Sequence, residues 1–375
     1  MSVEIAGTAT LRADDLGLDP MTAFARLRTY TPGRAAFLLE SLAPDADEGR
    51  YSIVGYRVRS GEVLPPGVDA VAVQAQSFEA RTEPASFAAS VAEGAVGFFS
   101  SSSPSLWNRV RLFEDEGPSG MFALGATVVV FDHHEGSITI AGPAKGRLVD
   151  RCLWELQHGP DPAPLPELPE DALPDALHAD VADEKLQARA ARARAFVSEL
   201  EGLVLARTFT TPTAGADAFH AYRALRQRGA RHGFYLDFGE SPLQARLEVF
   251  GTTDEVLLQR RHGEASPRMV DALRARLPHA RAVGAPGPEA LRLLRQLEDA
   301  SRQAWGGAVG LVAPGGGASL VLGDELVTVQ HGSFWCTAGA PLDASTDPLS
   351  VAEVTRHGAA ARLRAIAVAR ATVAG

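Results

Sequence analysis

The chain has 375 residues, 46% hydrophobic and 22% charged, which allows one large or two ordinary soluble domains. Thirty-six basic against 46 acidic residues give a formal net charge of −10, which argues against a general nucleic-acid binder, since that needs a basic stripe to release phosphate counterions. Two cysteines, Cys152 and Cys336, are too few for a disulfide framework or a thiolate metal site and read as buried apolar fillers. The opening MSVEIAGTATLRADDLG has no basic region ahead of an apolar core, so no secretory leader is expected. No apolar run approaches the 18 or so residues of a membrane span, and the expected location is the cytoplasm.

The first part of the chain reads mainly as strands. AAFLLESL and GRYSIVGYRV are short apolar runs bounded by turn formers. GATVVVFDHHEGSITIAG reads as a hairpin turning near Glu135 and Gly136. Residues 159–180 then carry six prolines among acidic residues, which no continuous helix or central strand accommodates. We read that stretch as a linker between residues 1–158 and residues 181–375. The second part opens with a helix in DEKLQARAARARAFVSELEGL, whose arginines read as a solvated face. Strands follow at HGFYLDFG and DEVLLQRR, an amphipathic helix at PEALRLLRQLEDA, a strand pair at LVTVQHGSFWCTAG and a closing helix at SVAEVTRHGAAARLRAIAVARA. Strands and helices without strict alternation give an α+β class.

Several words of this chain, in this order, resemble the chorismate-utilising enzymes, the family of anthranilate synthase component I and aminodeoxychorismate, isochorismate and salicylate synthases. AFLLES and GRYSIVG resemble the family's N-terminal L-L-E-S and R-Y-S-x-x-G. GAVGFFS, GFYLDFG, then GAP, WGGAVG, AGAP and TDP follow collinearly. The resemblance implies the family's fold, helices around a β-sheet core, with the site inside the C-terminal half. In feedback-inhibited members the first motif helps to line a tryptophan pocket. That makes Glu40 and Ser41 effector-pocket candidates, although RGARHGF stands here in place of the family's N-P-x-P-Y-M-F.

The charged words of the family are absent. The resemblance implies Mg²⁺ held by glutamates as a Lewis acid. At the places of one glutamate pair stand Val351 and Val354, and Glu353 between them is rotated by about 100° on a helix. The segment bearing the other metal glutamate and a catalytic histidine has no counterpart, and against the family the chain reads as shortened by several tens of residues around MVDALRARLPHARAVGAP. The lysine of S-G-A-P-K is Gly287 and its serine Val283. The substrate arginine is Gly323, beside an Asp324 that would repel a dianion. The last glycine of A-G-A-G is Pro341. No cofactor and no metal site are therefore expected.

Two groups of replacements are candidates for a remodelled site. His262 and Glu264 are the candidate catalytic pair, since a His/Glu pair suits acid–base work. Gly284, Ala285, Arg281, Asp324, His331, Ala338 and Gly339 are the candidate ligand pocket. The plainer reading makes these groups surface or core residues around a collapsed site. His133 and His134 in FDHHEG face opposite sides of a strand and read as turn residues, not metal ligands. APGGGAS reads as a flexible turn without a lysine for phosphate, and FFSSSSPSLW as a loop.

The expected function is a non-catalytic, anthranilate synthase component I-like pseudoenzyme with a ligand-binding or regulatory role. The alternatives are an enzyme with metal-free chemistry in a specialised biosynthetic pathway, and a partner subunit of a synthase or glutamine amidotransferase. A small-molecule ligand and a homo-oligomer or synthase assembly are the candidate partners, with nucleic acid and membrane excluded.

Overall fold

The computed structural model describes residues 8–12, 16–43, 49–66, 68–79, 81, 84, 86–100, 118–142, 147–197, 200–240, 246–260, 268–299, 302 and 304–374. In chain order its elements begin with β1 (Thr8–Arg12), α1 (Pro20–Arg28), β2 (Ala36–Ser41), β3 (Tyr51–Tyr56) and β4 (Ser60–Leu64). Next come α2 (Ala70–Glu79), α3 (Phe87–Glu93), β5 (Ala95–Phe99), β6 (Gly120–Leu124), β7 (Thr127–Asp132), β8 (Ser137–Ala141) and α4 (Leu148–His158). Past the proline-rich stretch lie β9 (His178–Ala179), α5 (Asp183–Val197), β10 (Gly202–Pro212), α6 (Ala218–Arg226), β11 (His232–Asp237), β12 (Glu248–Thr253) and β13 (Val256–Arg260). The chain then forms α7 (Met269–Arg276), α8 (Ala280–Val283), β14 (Gly284–Ala285), α9 (Gly287–Leu297), β15 (Ala308–Val312), β16 (Ala318–Leu322), β17 (Leu326–Gln330), β18 (Ser333–Leu342) and α10 (Val351–Ala374).

These strands make two sheets. The larger runs β1-β8-β7-β3-β2-β11-β12-β17-β18-β10-β14, with β9 beside β10; the smaller runs β13-β16-β15-β5-β6-β4. Side-chain alternation sorts the large sheet onto two cores. Phe37, Ile53, Val128 and Val130 face one core, shared with the small sheet, α2 and α3. Leu38, Val54, Val129 and Phe131 face the other, filled by α1, α4, α6 and α10. Strands buried on both faces are continuously apolar, which is why TVVVFD shows no polar alternation. The α+β class is thus realised as a helical layer, a large sheet and a small sheet.

Residues 1–158 and 181–375 contribute to both sheets. β2 pairs with β11 along its length, and β5 pairs with β15. At the second seam Gly97 lies opposite Gly310, and each is also crowded by its other neighbour: a Cβ on Gly97 would sit 1.8 Å from the Met121 carbonyl oxygen of β6. The proline-rich stretch is fastened to the body by arginines. Arg364 donates to the carbonyls of Leu168 and Pro169, Arg223 to Ala163, Arg370 to Asp175, and Arg26 pairs with Asp161. Proline carbonyls accept hydrogen bonds although proline nitrogens cannot donate them.

The expected strands, the hairpin and the C-terminal helices all appear. The first 158 residues hold more helix than their pattern shows. In α2, AVAVQAQSFE alternates valine and alanine like a strand, yet it forms a helix packed on the Pro314–Gly316 turn and on α7. The turn in APGGGAS is buried at Pro314 and Gly316 and packs on α2. FFSSSSPSLW lies outside the described residues beyond Ser100. Both cysteines are fully buried. Among the described residues no helix is long and apolar enough to cross a membrane.

Candidate functional site

Four of the ligand-pocket candidates meet at one end of the large sheet. Gly284 and Ala285 form β14 beside Leu203 and Gly202 of β10. On the other side of β10, Gly339 and Ala338 of β18 lie opposite Ala206 and Arg207. Arg281 and Asp324 are also brought together: the guanidinium lies 2.9 Å from the carboxylate, and Thr253 Oγ1 donates to the same carboxylate at 3.1 Å. Burial pushes the Asp324 carboxyl up, against the opposing pull of Arg281. Asp324 is nearly enclosed while Arg281 is about half exposed, so this pair forms a charged rim.

Beside Gly339 the room is taken up by Val204 and Trp305. A Cβ on Gly339 would stand 3.1 Å from the Trp305 ring and 2.6 Å from Val204, so the indole occupies the room beside β18. Trp305 Nε1 donates to the Asp324 carbonyl at 2.6 Å, and the Arg302 guanidinium lies over its ring at 5.2 Å. Arg302 donates to Glu298 twice, at 2.8 and 2.5 Å, to the Val204 carbonyl at 2.6 Å and to the Ala282 carbonyl. Glu298 also accepts from the Ala206 backbone N–H at 2.8 Å. Arg362 of α10 donates to the Thr337 carbonyl at 2.8 Å. Buried charges are tolerated because nearly every donor has a partner. The cavity left beside Ala206, Glu298 and Arg302 measures about 70 Å³, room for about two waters. Arg189, expected on a solvated face, is buried at its edge and pairs with Asp299, because α5 turns that side toward β10.

The remaining candidates are placed elsewhere. His262 and Glu264 lie outside the described residues. His331 sits in the exposed turn between β17 and β18, at the Pro212 end of the β10–β18 pair, roughly 20 Å along the strand from Gly339. It is therefore not part of the pocket, because the ten-residue β18 separates them. Glu40 and Ser41 end β2, where Glu40 is taken up internally. It accepts from Tyr222 and pairs with Arg226 at 2.8 Å, and burial pushes its carboxyl up against these contacts. His133 bonds the Ser52 hydroxyl at 2.8 Å, and Asp132 pairs with Arg50.

The residues at the implied magnesium place do not fit such a site. Val351 is fully buried and offers no oxygen, Glu353 is exposed, and Glu298 is committed to Arg302 and the Ala206 N–H. Among the described residues no group of three or more His, Cys, Asp or Glu is placed to hold a metal ion.

A larger cavity, about 310 Å³, lies between α1, α6 and the start of the proline-rich stretch. Sequence reading missed it because its residues come from segments far apart in the chain. Arg28 clamps Asp217 with two bonds of 2.6 and 2.9 Å. Arg246 lies 2.5 Å from both Asp237 and Glu248. Burial beside Asp237 pushes the Glu248 carboxyl up to about 7, against the pull of Arg246.

Comparison with known proteins extends this picture. The family model for chorismate binding enzymes matches residues 67–270 and 266–350. Anthranilate synthase component 1 of Streptomyces coelicolor is 24% identical over 461 residues, covering 95% of this chain and 88% of that protein. That alignment is longer than this chain, so the relative carries residues with no counterpart here. The pyocyanine-specific anthranilate synthase component 1 of Pseudomonas aeruginosa is 38% identical over 108 residues, 29% of this chain and 20% of that protein. The solved anthranilate synthase component I of Streptococcus pneumoniae superposes with a TM-score of 0.71 at 18% identity, over 94% of this chain and 99% of that one. The menaquinone-specific isochorismate synthase of Escherichia coli gives 0.68 at 14% identity, over 98% and 95%. Both structures share this fold.

Two outcomes follow from the buried charges. Arg302→Met strands Glu298 and two backbone carbonyls in the core, so it should cost about 3–5 kcal/mol in urea unfolding; a loss near zero would show that the pair is not buried in solution. The folded pKa of Glu248 lies above its ordinary 4.5. The stability it contributes is thus fully present below 4.5 and is lost as pH rises through about 7. Glu248→Gln should therefore gain stability relative to the parent between about pH 5 and about pH 8, read from unfolding midpoints; parallel profiles would refute the shift.

Proposed function

The chain belongs to the family of chorismate binding enzymes, and from that premise we propose that it is an anthranilate synthase component I-like member without magnesium-dependent chorismate chemistry. On this reading it acts as a pseudoenzyme, in a ligand-binding or regulatory role. The observation that carries the proposal is the occupant of the site. Val351 and Val354 stand at the places of two metal glutamates, and Trp305 with the Glu298–Arg302 pair fills the room behind Gly339. A metal there would polarise a substrate oxygen, which valine cannot support. The charged rim of Arg281 and Asp324, with Gly284, Ala285, Ala338 and Gly339 behind it, is the part of the frame on which a reduced ligand contact rests.

The test is calorimetric titration of the purified protein with chorismate, with and without Mg²⁺, followed by product analysis of the same samples. We expect no Mg²⁺-dependent heat and no product. Turnover that depends on Mg²⁺ would make the chain a working synthase and end the proposal.

A second reading rests on the relatives' names. Each is called component 1, so each is one part of a larger synthase. On this reading the chain is a non-catalytic subunit that docks a synthase or amidotransferase chain. Affinity purification from the native host should then return a second chain at fixed stoichiometry, and a clean monomer would count against it.

A further inference from the structure

The larger cavity is lined by two buried polar residues with atoms left without a hydrogen-bond partner among the described residues. Arg223 of α6 is 7% exposed; its Nη2 donates to the Ala163 carbonyl at 2.7 Å, while Nε and Nη1 have no partner. Thr31, just past α1, is 5% exposed, and its Oγ1 has none. Both line the same cavity. Buried donors are seldom left unpaired in a native protein, and two around one space call for a common acceptor.

The charge balance says what kind of acceptor. The carboxylates around the cavity are already taken: Asp217 by Arg28, Asp237 by Arg246 and Asp161 by Arg26. Two of the lining arginines, by contrast, have no ion-pair partner among the described residues. Arg223 has no carboxylate partner among the described residues, and exposed Arg34 at the mouth makes no ion pair among them either. Water would satisfy a hydroxyl but leaves Arg223 without a paired anion, since nearby Asp217 is already clamped by Arg28. An oxyanion supplies several lone pairs and a negative charge together, which a guanidinium fork binds well.

We propose that this cavity binds a small molecule through its carboxylate or phosphate group, held by Arg223 and Thr31, with Arg34 at the mouth. Its volume of about 310 Å³ suits a metabolite and not a macromolecule. The site is separate from both places that the family resemblance points to. From Asp237 on β11 to Ala206 on β10 is four strand spacings, about 20 Å. From Asp237 to Gly233, which lies opposite Glu40, is about 13 Å along β11. The proposal therefore stands whether or not chorismate is turned over.

The experiment is thermal unfolding and calorimetry of the full chain with inorganic phosphate or malonate, at ionic strength matched with chloride. A melting temperature several degrees above the chloride control is expected with at least one of them. Arg223→Met should weaken that binding about tenfold or more. A response to phosphate alone assigns a phosphorylated ligand, and a response to malonate alone a carboxylate. No rise over chloride with either probe overturns the site. So does an equal rise in Arg223→Met, since excluded salts stabilise any folded protein. Should Arg223→Met not fold, Arg34→Gln at the exposed mouth takes its place, and unchanged affinity in that variant also overturns the proposal.

Discussion

The rest of the structure depends on hydrogen bonds made between the first and last parts of the chain. β2 lies against β11 in the large sheet, and β5 lies against β15 in the small one. Each seam is central, with strands on both sides. Neither sheet closes until the chain has passed through the proline-rich stretch and returned. Loop-closure entropy is spent early, and the apolar faces of TVVVFD, AFLLES and HGFYLD repay it by burial on two sides.

That architecture explains how the frame of the family persists at low sequence identity. The backbone pairings of β10, β14 and β18 need only glycine or small residues where strands approach closely, so GAP and AGAP hold their places. Side chains that would face a substrate carry no such constraint. Beside these strands lie a ring and an ion pair: Trp305 against Gly339, and Arg302 with Glu298 tied to the carbonyls of Val204 and Ala282. A buried arginine with satisfied donors stabilises strand ends as a structural group, whereas an arginine facing an open pocket would serve a ligand.

The same contrast separates the two cavities. In the small one, arginines and carboxylates are matched within the protein. In the large one the carboxylates are matched, but Arg223 and the Thr31 hydroxyl are not. Unpaired donors beside a space of metabolite size are the observation on which the proposed oxyanion site rests.

Much was legible from local pattern. The runs AAFLLESL and TVVVFD, the turn at Glu135–Gly136 and the leucine stripe of PEALRLLRQL declare strands, a hairpin and a helix, because backbone geometry repeats every 2 or 3.6 residues. Absent oxygen donors at Val351 and Val354 are likewise a matter of residue identity. The amino-acid sequence by itself thus determined the elements, the family frame and which residue stands at each of its places. It did not reveal that Arg189 is buried, that His331 lies roughly 20 Å from Gly339, or that Arg223, Thr31 and Arg34 surround one cavity. Only the tertiary structure decided those points. Burial, charge pairing and cavity shape arise where segments distant in the chain meet, and no local period encodes that meeting.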